Sequence, residues 1–315
     1  MNGYNSVLDA YKQQIDTLTQ LDAKIAKQKF YEVSIADYVD VDEGNGAFAD
    51  SIFKYISFDT AGDGFNGFAD ENTNQAKMPA VNVALQGRTD LRHIWNKYVS
   101  YNIKDLEQLK RTGSYDLISS KLEARKRNYD LMLQEIAFLG NKVFADNKGL
   151  LTNDEATVNL NLIPTFISLM TPAQLQEFAS KLIGTYRQQC NYTAMPNRLI
   201  VPDKDYTGLG APYDPNFAIK SRMEYLEEAI KSITHNDFKI LPSAYSQKDV
   251  NGKTNTYALY NKNPDTLVFD VPVAYTTTAF NTVDNYTFQN VGYGQVGGVR
   301  VFRPKEVLYF TNNQD

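Results

Sequence analysis

Cysteine occurs once, at Cys190, and histidine twice, at His93 and His235. One thiol excludes an intrachain disulfide and a cysteine-built structural zinc site. The two histidines lie in different segments, and neither sits in a His-Glu-x-x-His pattern. No Gly-x-Ser-x-Gly elbow is present, so the usual hydrolase and metalloprotease constellations are missing. Cys190 with a distant histidine could form a nucleophile in principle, but a buried, idle thiol is the expectation. No apolar run approaches the roughly 20 residues needed to span a membrane. The opening MNGYNSVLDAYKQQ has neither a basic region nor an apolar core of the signal-peptide kind. The chain is expected to be soluble, reduced and made in the cytosol. Neither charge sign dominates: 32 Lys and Arg stand against 37 Asp and Glu, a net charge of −5. That argues against a surface that coats nucleic acid on every side, but leaves room for one basic face.

Two further absences concern ligands. Gly292, Gly294, Gly297 and Gly298 have the composition of a phosphate loop. No Lys-Ser/Thr follows them and no helix begins there, so a hairpin bend is expected. Asp63, Asp70 and Glu71 fall in a polar run whose DGFNG lacks the length and closing glutamate of an EF-hand. A solvated turn is expected there. No carboxylate pair stands out as an acid/base couple. The residues point to no enzyme, no metal and no cofactor.

What is abundant is tyrosine, 21 residues, and phenylalanine, 17, within a chain of 315 residues that is 43% hydrophobic. The length suits one large domain or two modest ones. Many Tyr and Asn suit large, polar, wet contact surfaces, and equally the codon bias of an AT-rich genome.

The longest periodic stretch is Ser114 to Gly140. Tyr115, Ile118, Leu122, Tyr129, Met132, Leu133, Ile136 and Leu139 recur at three- and four-residue spacing, the signature of one helix face. Ser114 is the candidate N-cap, Asp116 suits the first turn, and Gly140-Asn141 is a stop signal. Such a helix is about 40 Å long at about 1.5 Å per residue. It suits either an ordinary core or a spine spanning a flat subunit.

Around it, residues 1–29 read as an amphipathic helix. Phe30–Val33 and Tyr38–Asp42 read as short strands. Ser51–Phe58 and Met78–Leu85 read as strands joined by a long polar tip, a projecting hairpin. Leu91–Ile103 reads as a third strand. Residues 142–240 read as α/β, with helices over Ala173–Tyr186 and Ala218–Ser232, a short helix or turn from Pro202 to Gly210, and strands over Asn197–Pro202 and Phe238–Ile240. Residues 241–315 read as mostly β, with strands over Thr256–Tyr260, Thr266–Val271, Tyr286–Tyr293, Val296–Phe302 and Val307–Phe310.

This order resembles the major capsid proteins of tailed phages, the Hong Kong 97 fold. More narrowly it resembles the prophage capsid subfamily once catalogued as a domain of unknown function. The residues that carry the resemblance are Gly149-Leu150-Leu151-Thr152-Asn153 after the long helix, Asn197-Arg198-Leu199-Ile200-Val201-Pro202, Thr266-Leu267-Val268-Phe269 followed by Pro272, and Gly297-Gly298-Val299-Arg300-Val301-Phe302-Arg303-Pro304 leading to Val307-Leu308-Tyr309.

The resemblance implies an α+β capsid subunit. Residues 1–48 would form an N-terminal arm and 49–90 an extended loop hairpin. Residues 91–146 would form a peripheral domain around the spine helix, completed by C-terminal strands over 265–315. Residues 147–264 would form an axial domain. It implies self-assembly into pentamers and hexamers of an icosahedral shell, and enclosure of double-stranded DNA without sequence reading. Scaffold, portal and decoration or cement proteins would be partners, no membrane would be involved, and assembly would take place in the bacterial host cytoplasm. Phe65, Phe68 and Lys77 would touch a neighbouring subunit, and Lys121, Arg125, Lys126 and Arg127 would face DNA. Two other readings compete: a nanocompartment shell of the encapsulin type, enclosing a cargo enzyme, and a soluble carbohydrate-active enzyme with a carboxylate-lined pocket.

Overall fold

The computed structural model describes residues 29–59, 83–105, 117–160, 162–214, 217–251, 254–284 and 286–312. The helix expected over residues 1–29, apart from Lys29, lies outside the described residues, as do Ser114 and the loop tip with Phe65, Phe68 and Lys77.

Phe30–Val33 is not a strand. The amide oxygen of buried Gln134, on the long helix, accepts from the Val33 N–H at 2.8 Å, and its NH2 donates to the Tyr31 carbonyl at 3.1 Å. One side chain thus satisfies the backbone that a ladder would otherwise engage. A single turn, α1 (Ile35–Tyr38), leads into β1 (Asp40–Glu43). β2 (Ser51–Asp59) and β3 (Val83–Leu91) form an antiparallel ribbon from Ser51 opposite Leu91 to Asp59 opposite Val83. After Arg92 comes β4 (His93–Asn102), then the long helix α2 (Leu117–Leu139), 23 residues and roughly 35 Å. The helix stops at Gly140, whose φ of +86° and whose missing Cβ, 2.4 Å from the Asn147 carbonyl if present, both require glycine.

β5 (Thr157–Asn159) precedes α3 (Pro172–Gln189), which begins with a reciprocal capping box between Thr171 and Gln174. β6 (Arg198–Pro202), α4 (Asp203–Leu209) and β7 (Pro212–Asp214) follow. The helix expected from Ala218 starts late. Residues Phe217–Ser221 are β8, and α5 (Arg222–Thr234) begins only after Ser221, because Ser221 and Glu224 form a second capping box at 3.0 and 3.2 Å. The remaining strands are β9 (Lys239–Ser243), β10 (Asn255–Tyr260), β11 (Leu267–Val271), β12 (Val273–Thr277), β13 (Asn281–Thr282), β14 (Thr287–Val296), β15 (Val299–Val301) and β16 (Val307–Asn312).

The hairpin bend expected at the four glycines is also corrected. β14 runs unbroken through Gly292 and Gly294, and only Gly297-Gly298 turns. β14 pairs with β4 while β15 pairs with β11, so the two strands on either side of the turn enter different sheets.

A mixed five-stranded sheet, in the order β5-β16-β10-β6-β9, divides the apolar interior. Alternate side chains serve opposite faces. Leu199, Val201, Tyr257, Leu259, Leu308 and Phe310 join α3 and α5 in one core. Ile200, Ala258, Tyr260, Val307 and Tyr309 join α2, β11 and β15 in the other. Burial on both sides explains why these strands read as continuous apolar runs rather than as alternation.

Candidate functional site

The long helix is fixed to the sheet of β4 and β14 by Arg125. This guanidinium, on a residue only 5% exposed, donates to the Asn290 carbonyl at 2.8 Å, to Asn290 Oδ1 at 2.6 Å and to the Tyr275 hydroxyl at 2.8 Å. β14 carries glycine where these side chains arrive. A Cβ on Gly292 would sit 2.6 Å from Arg125 Nε, and one on Gly294 2.7 Å from the Tyr129 hydroxyl. Two of the four glycines that resemble a phosphate loop, Gly292 and Gly294, therefore make room for the spine.

The basic stripe expected to face DNA divides accordingly. Arg125 is buried against the sheet and presents no charge to solvent, because successive residues on a helix diverge by about 100°. Lys121 donates to the Ser100 carbonyl of β4 at 3.1 Å. Lys126 is exposed, and Arg127 lies 3.8 Å from Glu32 on the outer side.

The root of the β2–β3 ribbon holds a charge network that the sequence reading did not single out. Arg92 donates to both carboxylate oxygens of Asp270, at 2.6 and 2.8 Å, and to the Gly46 carbonyl at 3.0 Å. Both side chains are essentially inaccessible, at 1% and 2%. Arg300 bridges Asp270 at 3.3 Å and Asp42 at 2.6 Å. Gln295 completes the clamp, accepting from the Phe48 N–H at 2.7 Å and donating to the Ala49 carbonyl at 2.8 Å. The available signals were an arginine inside a strand-like run and an aspartate inside Leu267–Val271.

The groups that could carry chemistry are dispersed. Burial pushes the Cys190 thiol up to about 11, and its S–H donates to the Lys305 carbonyl. His93 stacks on Phe144 at 3.6 Å, and burial lowers its pKa. His235 is the left-handed residue closing α5, with φ +55°. A cleft of about 310 Å³ beside His93 is walled by Trp95, Met132, Ile136, Val143 and Phe144, and its single carboxylate, Glu135, is paired with Lys142 at 2.5 Å. Among the described residues no group of three His, Cys, Asp or Glu is placed to hold a metal, and no helix is long and apolar enough to cross a membrane.

What the surface does offer is apolar area around the ribbon root. Phe48 and Phe53 are exposed, and on the face of β4 turned away from α2, Ile94 is 52% and Tyr98 66% exposed. Exposed aromatic and aliphatic residues grouped in this way mark contact surfaces more often than catalytic ones.

No curated protein matches the chain in sequence. Among solved structures, the capsid of Myoviridae phage XM1 aligns over 94% of this chain and 97% of its own, with a TM-score of 0.75 at 16% identity. Mycobacterium phage Adephagia aligns over 96% and 98%, with a TM-score of 0.60 at 10% identity. A virus-like particle from Pyrococcus furiosus aligns over 89% and 92%, with a TM-score of 0.53 at 14% identity. These likenesses establish the α+β fold of phage capsid subunits. A family model described as "Major capsid protein" matches residues 69–312, most of the chain, and the chain therefore belongs to the major capsid protein family.

Proposed function

We propose that the protein is the repeating subunit of the icosahedral head of a tailed phage or prophage, enclosing double-stranded DNA. The observation that carries this reading is the match of the family over residues 69–312. The ribbon supports it physically. A two-stranded ribbon is marginal in water alone, yet β2–β3 is rooted by the buried Arg92–Asp270 pair and stands in a sheet of its own. It would be stabilised by lying on another subunit, with Phe65, Phe68 and Lys77 among the contacts. In the same reading residues 1–48 are an arm, 49–90 the extended loop, 91–146 and 265–315 the peripheral domain, and 147–264 the axial domain. Lys126 and Arg127 remain the candidates for DNA contact. Scaffold, portal and decoration proteins are the expected partners, with assembly in the host cytoplasm.

Negative-stain microscopy of the purified protein, with size-exclusion chromatography and light scattering, tests the reading. Closed shells, or pentamers and hexamers, are expected. A homogeneous monomer or dimer at every protein and salt concentration, with a co-expressed scaffold present, would overturn it. Shells from the native host that hold a cargo protein instead of DNA would favour a nanocompartment.

A further inference from the structure

β4 is an edge strand. β14 lies on one side of it, hydrogen bonded from His93 opposite Val296 to Asn102 opposite Thr287. Among the described residues no strand lies on the other. The direction of its backbone groups follows from the antiparallel pattern, in which alternate residues point both N–H and C=O to the same neighbour. The Ile103 N–H donates to the Tyr286 carbonyl, continuing that register, so odd-numbered residues face β14. The opposite parity on β14 agrees: the Val291 carbonyl, opposite Tyr98, accepts from the Thr278 N–H on the far side. Even-numbered residues of β4 therefore direct their backbone outward.

That outer edge is closed at both ends and open in the middle. Lys121 Nζ caps the Ser100 carbonyl at 3.1 Å, and the Asp105 carboxylate accepts from the Asn102 N–H at 3.2 Å. At the other end the Arg92 N–H is taken by the Asp50 carbonyl at 2.9 Å. Between them, the outward N–H and C=O groups of Ile94, Asn96 and Tyr98 meet no partner among the described residues, and all three residues are exposed. Capping both flanks while leaving three residues bare is not how a protein blunts an edge. A proline, a bulge or an outward lysine at the centre would do that, and the lysine in the window, Lys97, instead turns to the α2 face, where its Nζ donates to Asn128 Oδ1 at 2.6 Å.

We propose that this window, Ile94 to Tyr98, is a strand-addition site, and that its occupant is an extended segment of a second copy of this chain. The proposal rests on the shell reading above, in which a subunit's lateral neighbours are copies of itself. Three features favour a copy. The open groups are main-chain groups, which any extended strand satisfies. The flanking side chains on the outer face, Ile94 and Tyr98, are uncharged and ask only for apolar partners. The chain also carries strands outside its larger sheets: among the described residues β2 and β3 form a two-stranded sheet of their own, and neither joins the sheet of its own β4.

The test is amide hydrogen exchange with residue-level fragmentation, on isolated subunits and on shells assembled from this chain alone. The amides of Ile94, Asn96 and Tyr98 should exchange freely in the subunit and slow about 100-fold or more in the shell, while those of Trp95 and Lys97 stay protected in both. Asn96→Pro removes one outward N–H at a position where an edge strand accepts proline. It should leave the subunit folded by circular dichroism and cut shell yield more than about tenfold, whereas Asn96→Thr, which keeps the N–H, should assemble normally. Shells that form while these three amides still exchange freely would overturn strand addition and leave the shell reading standing. Protection already present in the isolated subunit would overturn it too, by showing that the chain covers its own edge. Failure of the unaltered protein to form shells under any condition would remove the shell reading, and this inference with it.

Discussion

Arg92 and Asp270 lie 178 residues apart in sequence and form a bidentate ion pair sealed from solvent. It joins the residue between β3 and β4 to the penultimate residue of β11, at the root of the ribbon. Breaking a buried pair from one side strands a charge, at a cost of about 3–5 kcal/mol. Arg92→Ala and Asp270→Ala should each lose about that much in denaturant unfolding. The double variant Arg92→Met, Asp270→Leu should lose less than the sum, since no lone charge remains at either position.

Glycine substitution should change sign with position. A Cβ on Gly294 would meet the Tyr129 ring at 2.7–2.9 Å, whereas one on Gly184, within α3, meets nothing within 4 Å. Gly294→Ala should destabilise by about 1–3 kcal/mol through overpacking. Gly184→Ala should stabilise by about 0.5–1 kcal/mol, because alanine surrenders less backbone entropy in a helix. Thermal unfolding of the two variants gives both signs in one experiment.

These cases show what was legible in the sequence. The long helix and the strands at 198–202, 255–260 and 267–271 were readable because local periodicity and burial dictate them, whereas the second strand of the ribbon, read as Met78–Leu85, runs over Val83–Leu91. The order of elements carried the family. The capping box at Ser221 was also written locally, but helical periodicity through Ala218 obscured it. The Arg92–Asp270 pair and the fit of Arg125 against Gly292 were not readable, since each joins residues more than 150 positions apart through packing alone. The same fit removed Arg125 from the basic stripe: charge is visible in sequence, but the side of the helix it occupies depends on what the helix packs against.

The basic residues of α2 should separate by measurement. Arg125→Met leaves Asn290 Oδ1 and the Tyr275 hydroxyl without the guanidinium that donates to them, and should cost about 2–4 kcal/mol of subunit stability. Lys126→Gln with Arg127→Gln should stay within about 0.5 kcal/mol of the parent. If these two meet packaged DNA, their removal should lower the slope of log affinity against log salt for double-stranded DNA by about two. An unchanged slope would place the DNA-facing surface elsewhere.

Alkaline pH should unfold the protein from its tyrosines. Burial pushes Tyr129 up to about 12, with Asp130 and Glu43 adding to the rise. Tyr38, Tyr186, Tyr257, Tyr260 and Tyr309 are raised further, in each case chiefly by burial. Below pH 10 these phenols are protonated in both folded and unfolded chains, so their contribution is fully present there. Above it the unfolded chain releases protons that the folded chain keeps, and stability falls by about 1.4 kcal/mol per pH unit for each tyrosine involved. Denaturant midpoints should therefore be flat from pH 8 to 9.5 with respect to these groups and drop steeply from pH 10 to 11. Tyr129 provides the control, because its hydroxyl is buried and makes no hydrogen bond among the described residues. Tyr129→Phe should be near neutral at pH 8 and should shed one tyrosine's share of the alkaline slope. An unaltered slope would mean that Tyr129 ionises alike in both states.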